Sequence, residues 1–178
     1  ALTCPTPSSS IYYTINGDTP TTTSTLYSSP INISQTKTIK AICVASNLLT
    51  RPPTTKSYFI NENTQLPIVS ISCDATTMTD FQTLTVESDL QEIGGHFEFF
   101  GANGGALLYE ADCAVDQQGK GSTYHIPKSL EISAKSEYGV ALFNHKFFPE
   151  KNYTNFDKLI LRSGGNDVLQ GHIRDYFC

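Results

Sequence analysis

Between Ile11 and Ile60 the chain reads as a series of short period-two segments separated by turn residues. Ile11, Tyr13 and Ile15 alternate with Tyr12 and Thr14, the pattern of a strand with one face turned to a core. Asn16-Gly17-Asp18 then supplies a turn signal. Ile31 and Ile33 alternate again, Thr38 to Val44 forms a further β-rich run, and Arg51-Pro52-Pro53 breaks the chain before Ser57-Tyr58-Phe59-Ile60. No helical stretch interrupts the series. Short strands at even spacing predict a small β-sandwich.

A polar, unpatterned stretch, Asn61 to Gln65, is followed by Pro67, and residues 61–66 are read as a linker. Beyond it Ile68, Val69 and Ile71 predict a short strand. Residues 74–93 are acidic and weakly patterned, and a loop with a helical turn is expected there. His96 to Phe100 alternates, turns at Asn103-Gly104-Gly105 and returns from Ala106 to Val115, a hairpin with Asn-Gly as its turn signal. Leu130, Ile132 and Ala134 share one face by the same alternation. Near the end, Leu159, Ile160 and Leu161 predict a strand running into Arg162 and the turn Ser163 to Asn166. Asp167 and Gln170 then suit a capping box, and Val168, Leu169, His172, Ile173, Tyr176 and Phe177 form a helical stripe.

Composition sets limits on function. The 178 residues hold one large domain or two modest ones, and 39% hydrophobic with 16% charged residues describe a globular chain. With 12 basic and 17 acidic side chains the net charge is −5, which disfavours nucleic acid or an anionic membrane as partner. No apolar run approaches the roughly 18 residues of a membrane span. The chain opens on Ala1 with no basic-then-apolar segment, so any leader has been removed or lies outside these residues.

Five cysteines, Cys4, Cys43, Cys73, Cys113 and Cys178, stand far apart and in no CxxC spacing, which argues against zinc. A chain of this length builds an adequate core without disulfides. Buried or free thiols are therefore expected, and Cys4 with Cys43 is the pair that could bridge if their strands face one another.

The residues that carry chemistry are few. Lys128 has the parity of Leu130 and Ile132, so it points toward the core side, where an ammonium needs an anion or a cleft; a lysine at the strand end that snorkels to water is the alternative. Tyr12, Tyr13 and Tyr27 could stack on sugar rings, or fill a small sandwich core. Asn32-Ile33-Ser34 and Asn152-Tyr153-Thr154 fit the short glycosylation pattern. His96, His125, His145 and His172 stand in no HExxH spacing, and no GxSxG elbow is present, so a hydrolase has little support. Residues 117–121, QQGKG, lack the full phosphate-loop pattern. No metal site and no catalytic residue is assigned.

Two resemblances add to this. IYYTINGDTPT, LYSSPINIS, TKTIKAICVASN and SYFI resemble the chitobiase/β-hexosaminidase C-terminal type of domain over residues 1–60. That family implies an immunoglobulin-like sandwich, a spacer in secreted bacterial proteins, with its first strand expected before Ala1. From Leu66 onward, LPIVSI, HFEFFGANGG, GKGSTYHIPKSLEISAKSEYG, FNHKFF and FDKLILRSGGND leading to IRD resemble the amino-terminal part of the CotH family of spore-coat atypical protein kinases.

The second resemblance implies transfer of phosphate from ATP with Mg²⁺. It places Lys128 at a phosphate contact and Arg162, Asp167 and Arg174 along a nucleotide cleft. In that family the metal-holding and base motifs lie further along than the IRD segment. The expected fold is therefore mainly β with an α+β part: a small Ig-like β-sandwich (1–60), then an incomplete kinase-like domain (66–178) on antiparallel strands. These residues alone would need no cofactor and show no kinase activity. The implied parent is a secreted or surface bacterial protein acting on a coat or extracellular protein; the other expectation is a glycan-binding or adhesion module using Tyr12, Tyr13 and Tyr27.

Overall fold

A computed structural model describes residues 1–62, 64–83, 92–119 and 128–163. They form antiparallel sheets and one described helix, the mainly β arrangement expected from the sequence. The chain divides into two compact units, residues 1–76 with 98–110 and residues 77–97 with 111–178.

The first unit is built on a four-stranded sheet. Strands β1 (Ser10–Thr14), β2 (Thr25–Leu26), β3 (Lys37–Val44) and β4 (Thr54–Tyr58) lie in the order β2-β1-β3-β4. Registers Tyr12↔Ile42 and Ile39↔Lys56 align the ladder. Ile39, Lys40 and Ile42 are all buried, so β3 is covered on both faces. Cys4 and Cys43 form a disulfide, their Cα atoms 6.2 Å apart, while Cys73 and Cys113 are buried free thiols. The expectation of thiols throughout is corrected here. β1 and the segment before it return beside β3, and the pair meets through a relation between strands that composition does not encode.

Ile31 and Ile33 form no strand. They are half-buried and Asn32 and Ser34 exposed, so the period-two pattern survives in burial without a hydrogen-bonded ladder. Pro30, which has no N–H to give, stands at the head of that segment.

After β4, Asn61 takes a left-handed backbone angle (φ 60°), which asparagine tolerates better than most side chains. β5 (Ile68–Ser72) follows, and its Ser70 hydroxyl lies 2.8 Å from that of Ser57. The tip of a hairpin made by β6 (Ile93–Phe100) and β7 (Leu107–Gln117) completes the unit. Asn103 and Gly104 at the tip both have positive φ (58° and 66°), the two-residue geometry that suits right-handed strand twist.

In the second unit α1 (Ala75–Thr83) contributes buried Phe81. The segment expected to hold only a helical turn thus contains nine helical residues. β8 (Leu130–Ser133) pairs with β7 and with β11 (Lys158–Leu161), so Ile132 faces Val115 on one side and Leu159 on the other. The strands of this unit lie in the order β11-β8-β7-β6. Cys113, Ala114 and Val115 are buried in succession, as a strand inside a sheet requires when both faces are covered. Fully buried Phe97 packs on Phe143 and Phe147, ring centroids 5.7 and 5.8 Å away. β9 (Phe143–Asn144) and β10 (Asn155–Phe156) form a small separate ladder.

Candidate functional sites

The pairing of β8 with β11 decides where the basic candidates stand. Leu161 faces Leu130 in antiparallel register. Lys128, just before β8, and Arg162, just after β11, therefore come to the same end of neighbouring strands. Lys128 is 5% exposed and its neighbour Ser129, of opposite parity, 8%, so consecutive residues are buried here. Arg162 is exposed. Between them the Ser163 N–H donates to Ser129 Oγ at 3.0 Å, and the two hydroxyl oxygens lie 3.1 Å apart. The backbone N–H of Lys128 donates to Gln82 Oε1 at 3.3 Å, tying the segment to α1. This strand end offers two cations and two hydroxyls, donors that suit an anion such as a phosphate group. Asp167 and Arg174 lie outside the described residues.

The tyrosines are arranged differently. Tyr12 and Tyr13 are successive residues of β1 and so point to opposite faces. Tyr13 and Tyr27 meet edge to face, centroids 6.3 Å apart and planes at 79°. All three are half-buried. Two rings set nearly at right angles, with the third on the other face, do not make one flat stacking surface.

A third place was not foreseen. In the first unit a cleft of about 410 Å³ is lined by Lys56 to Phe59, Asn61, Glu62, Ile68, Glu98, Phe100 and the hairpin tip from Gly104 to Leu107. Its volume is that of a small-molecule pocket. β4 is an edge strand, so alternate N–H groups along it have no ladder partner. The Ser57 N–H is met by a carboxylate: Glu98, 1% exposed, accepts it at 2.9 Å on Oε2 and 3.2 Å on Oε1. Lys56 Nζ is engaged by Glu110, and Glu62 accepts the Thr36 hydroxyl. Phe59 and Phe100 stand edge to face, centroids 5.2 Å apart at 80°. The signal for this site is present in His96-Phe97-Glu98-Phe99-Phe100, where an acid occupies the middle of an aromatic strand. What it faces depends on β4, some forty residues earlier.

A fourth cluster holds the first unit together. Lys40, 5% exposed, lies 3.6 Å from Asp74 Oδ1, which also accepts the Thr19 N–H and hydroxyl, both at 2.6 Å. Burial pushes the Asp74 carboxyl upward, but the Thr19 hydrogen bonds and the Lys40 charge together outweigh it and leave the pKa below its ordinary value.

Residues 1–56 match the family model of the chitobiase/β-hexosaminidase C-terminal domain. No curated protein and no solved structure matches the chain. No helix among the described residues is long and apolar enough to cross a membrane.

Proposed function

We propose that this chain is part of a secreted or surface bacterial protein of CotH-like type, in which a sandwich spacer precedes the nucleotide side of an atypical kinase domain. The observation that supports it is the pole formed by buried Lys128 and exposed Arg162 at one end of β8 and β11. Two cations at one strand end suit a nucleotide phosphate, the anion that a kinase-like domain would bring. Mg²⁺ would bridge the phosphates to carboxylates; Lys128, Ser129, Arg162 and Ser163 include none, so the role assigned to this pole is contact with phosphate alone. The Cys4–Cys43 disulfide supports an oxidising, extracytoplasmic setting.

The phosphoacceptor in this reading is a coat or extracellular protein. Glycan binding on Tyr12, Tyr13 and Tyr27 is the weaker reading, because those rings do not share a face. Thermal shift of the full-length protein with ATP and Mg²⁺ is the test. A rise in Tm that falls in both Lys128→Met and Arg162→Ala is expected. A full-length protein whose Tm ignores nucleotide would overturn the reading.

A further inference from the structure

The cleft between the end of β4 and the hairpin tip has a charge pattern of its own. Of its ionisable lining groups, Lys56 is neutralised by Glu110, which leaves the carboxylates of Glu62 and Glu98. Neither makes an ion pair with a lysine or arginine among the described residues: Glu98 accepts only the Ser57 N–H and Glu62 only the Thr36 hydroxyl. A carboxylate is an acceptor at both oxygens, with about four lone-pair positions. One N–H leaves most of the capacity of Glu98 unused, in a residue that is 1% exposed. Beside it stand the Phe59–Phe100 pair and Tyr58, 40% exposed.

Acceptors without matching cations, next to aromatic rings, select a cation carried on a body that can lie against those rings. A phosphate or carboxylate ligand would meet like charge. A neutral apolar ligand would leave Glu98 buried against a group that cannot donate to it.

We infer that this cleft is a binding site for a primary ammonium group on a ring or short aliphatic body, its N–H groups donating to Glu98 and Glu62. An amino sugar and an amine side chain share that chemistry. The site does not depend on the nucleotide reading, since every lining residue lies in the first unit and Lys128 and Arg162 lie in the second.

Two matched pairs of probes separate charge from body: glucosamine against glucose, and n-pentylamine against n-pentanol. Titrations followed by ¹⁵N-resolved NMR at pH 7 give affinity and location together. The amine of at least one pair is expected to bind about 10- to 100-fold more tightly than its uncharged partner, the range for a hydrogen bond to a charged group. Shifts are expected at residues 56–62 and 98–107. The pair with the tighter amine identifies the source, sugar or aliphatic. Glu98→Gln, which keeps one acceptor oxygen for Ser57, should abolish the preference for the amine. Should that variant fail to fold, Glu62→Gln at the exposed rim should reduce the preference by itself. Equal affinities within both pairs, no amine binding at millimolar concentration, or shifts confined to other residues would each overturn the inference.

Discussion

Cys113 makes the stability of the second unit sensitive to alkali. It lies in β7 with no exposed surface, its Sγ donating at 3.6 Å to the Gly95 carbonyl. Burial, with a smaller contribution from the charge of Asp112, pushes its pKa up to about 12 from an ordinary 9.0. A raised pKa in the folded state has one sign of consequence. Below about pH 9 the thiol is neutral in both states and pH has no effect through it. Above that the unfolded chain ionises while the folded chain does not, and stability falls by about 1.4 kcal/mol per pH unit until the folded pKa is reached. Between pH 9 and pH 11 the loss is roughly 2 to 3 kcal/mol, a large share of the ~5–15 kcal/mol typical of a domain. Urea unfolding followed by far-UV circular dichroism from pH 7.5 to 10.5 reads this directly. Cys113→Ala is expected to be about 1 to 2 kcal/mol less stable at neutral pH, from the lost sulfur contacts, and to lose less stability as pH rises. The difference between the two proteins should therefore close with pH and then change sign. Two parallel pH profiles would refute the argument, because other titrating groups are common to both.

The acid side is governed in part by Asp74, whose lowered pKa stabilises the fold above the ordinary carboxylate range and loses that contribution as pH falls through it. Asp74→Ala should cost about 2 kcal/mol, less than for a fully buried pair because the carboxylate is half exposed, and adding Lys40→Met should restore most of it; a double variant as weak as the single one would place the loss in the Thr19 bonds instead. The Cys4–Cys43 bridge closes a separation of 39 residues, for which chain entropy gives about 4 kcal/mol. Reductant at neutral pH should lower the first unit's melting temperature, and an unchanged melting curve would show that the bridge constrains little in the unfolded chain.

What could be read in advance was what a few neighbouring residues decide. Lys37 to Val44 is β-rich over a whole strand, and Asn103-Gly104 can hardly be anything but a turn, so β3 and the β6–β7 hairpin were legible. Parity says little about Lys128, because Ser129, of opposite parity, is buried with it. Ile31 and Ile33 carried the same alternation, yet a ladder also needs a neighbour with free N–H and C=O groups, and none is paired there. α1 was hard to see because Ala75–Thr83 has no acid in its first turn and no base in its last, and only Phe81 is buried. The disulfide and the cleft depend on which strands return to which, and no window of sequence contains that.

The cleft follows from how the first sheet ends. An edge strand has unpaired N–H groups that invite another strand, and proteins blunt such edges with charge, proline or a covering segment. Here the edge is β4, with Pro52 and Pro53 just before it, and a carboxylate from the hairpin takes the Ser57 N–H. A neutral acceptor such as glutamine would meet that structural need equally well, because one oxygen suffices for one N–H. Glutamate is the more expensive choice, since a carboxylate 1% exposed makes no ion pair with a lysine or arginine among the described residues. The structural task explains an acceptor at position 98; it does not explain a negative one. Glu98→Gln separates the two, for it should leave the fold at least as stable while removing the preference for an ammonium group. A Glu98→Gln protein that keeps that preference would return the carboxylate to a purely structural role.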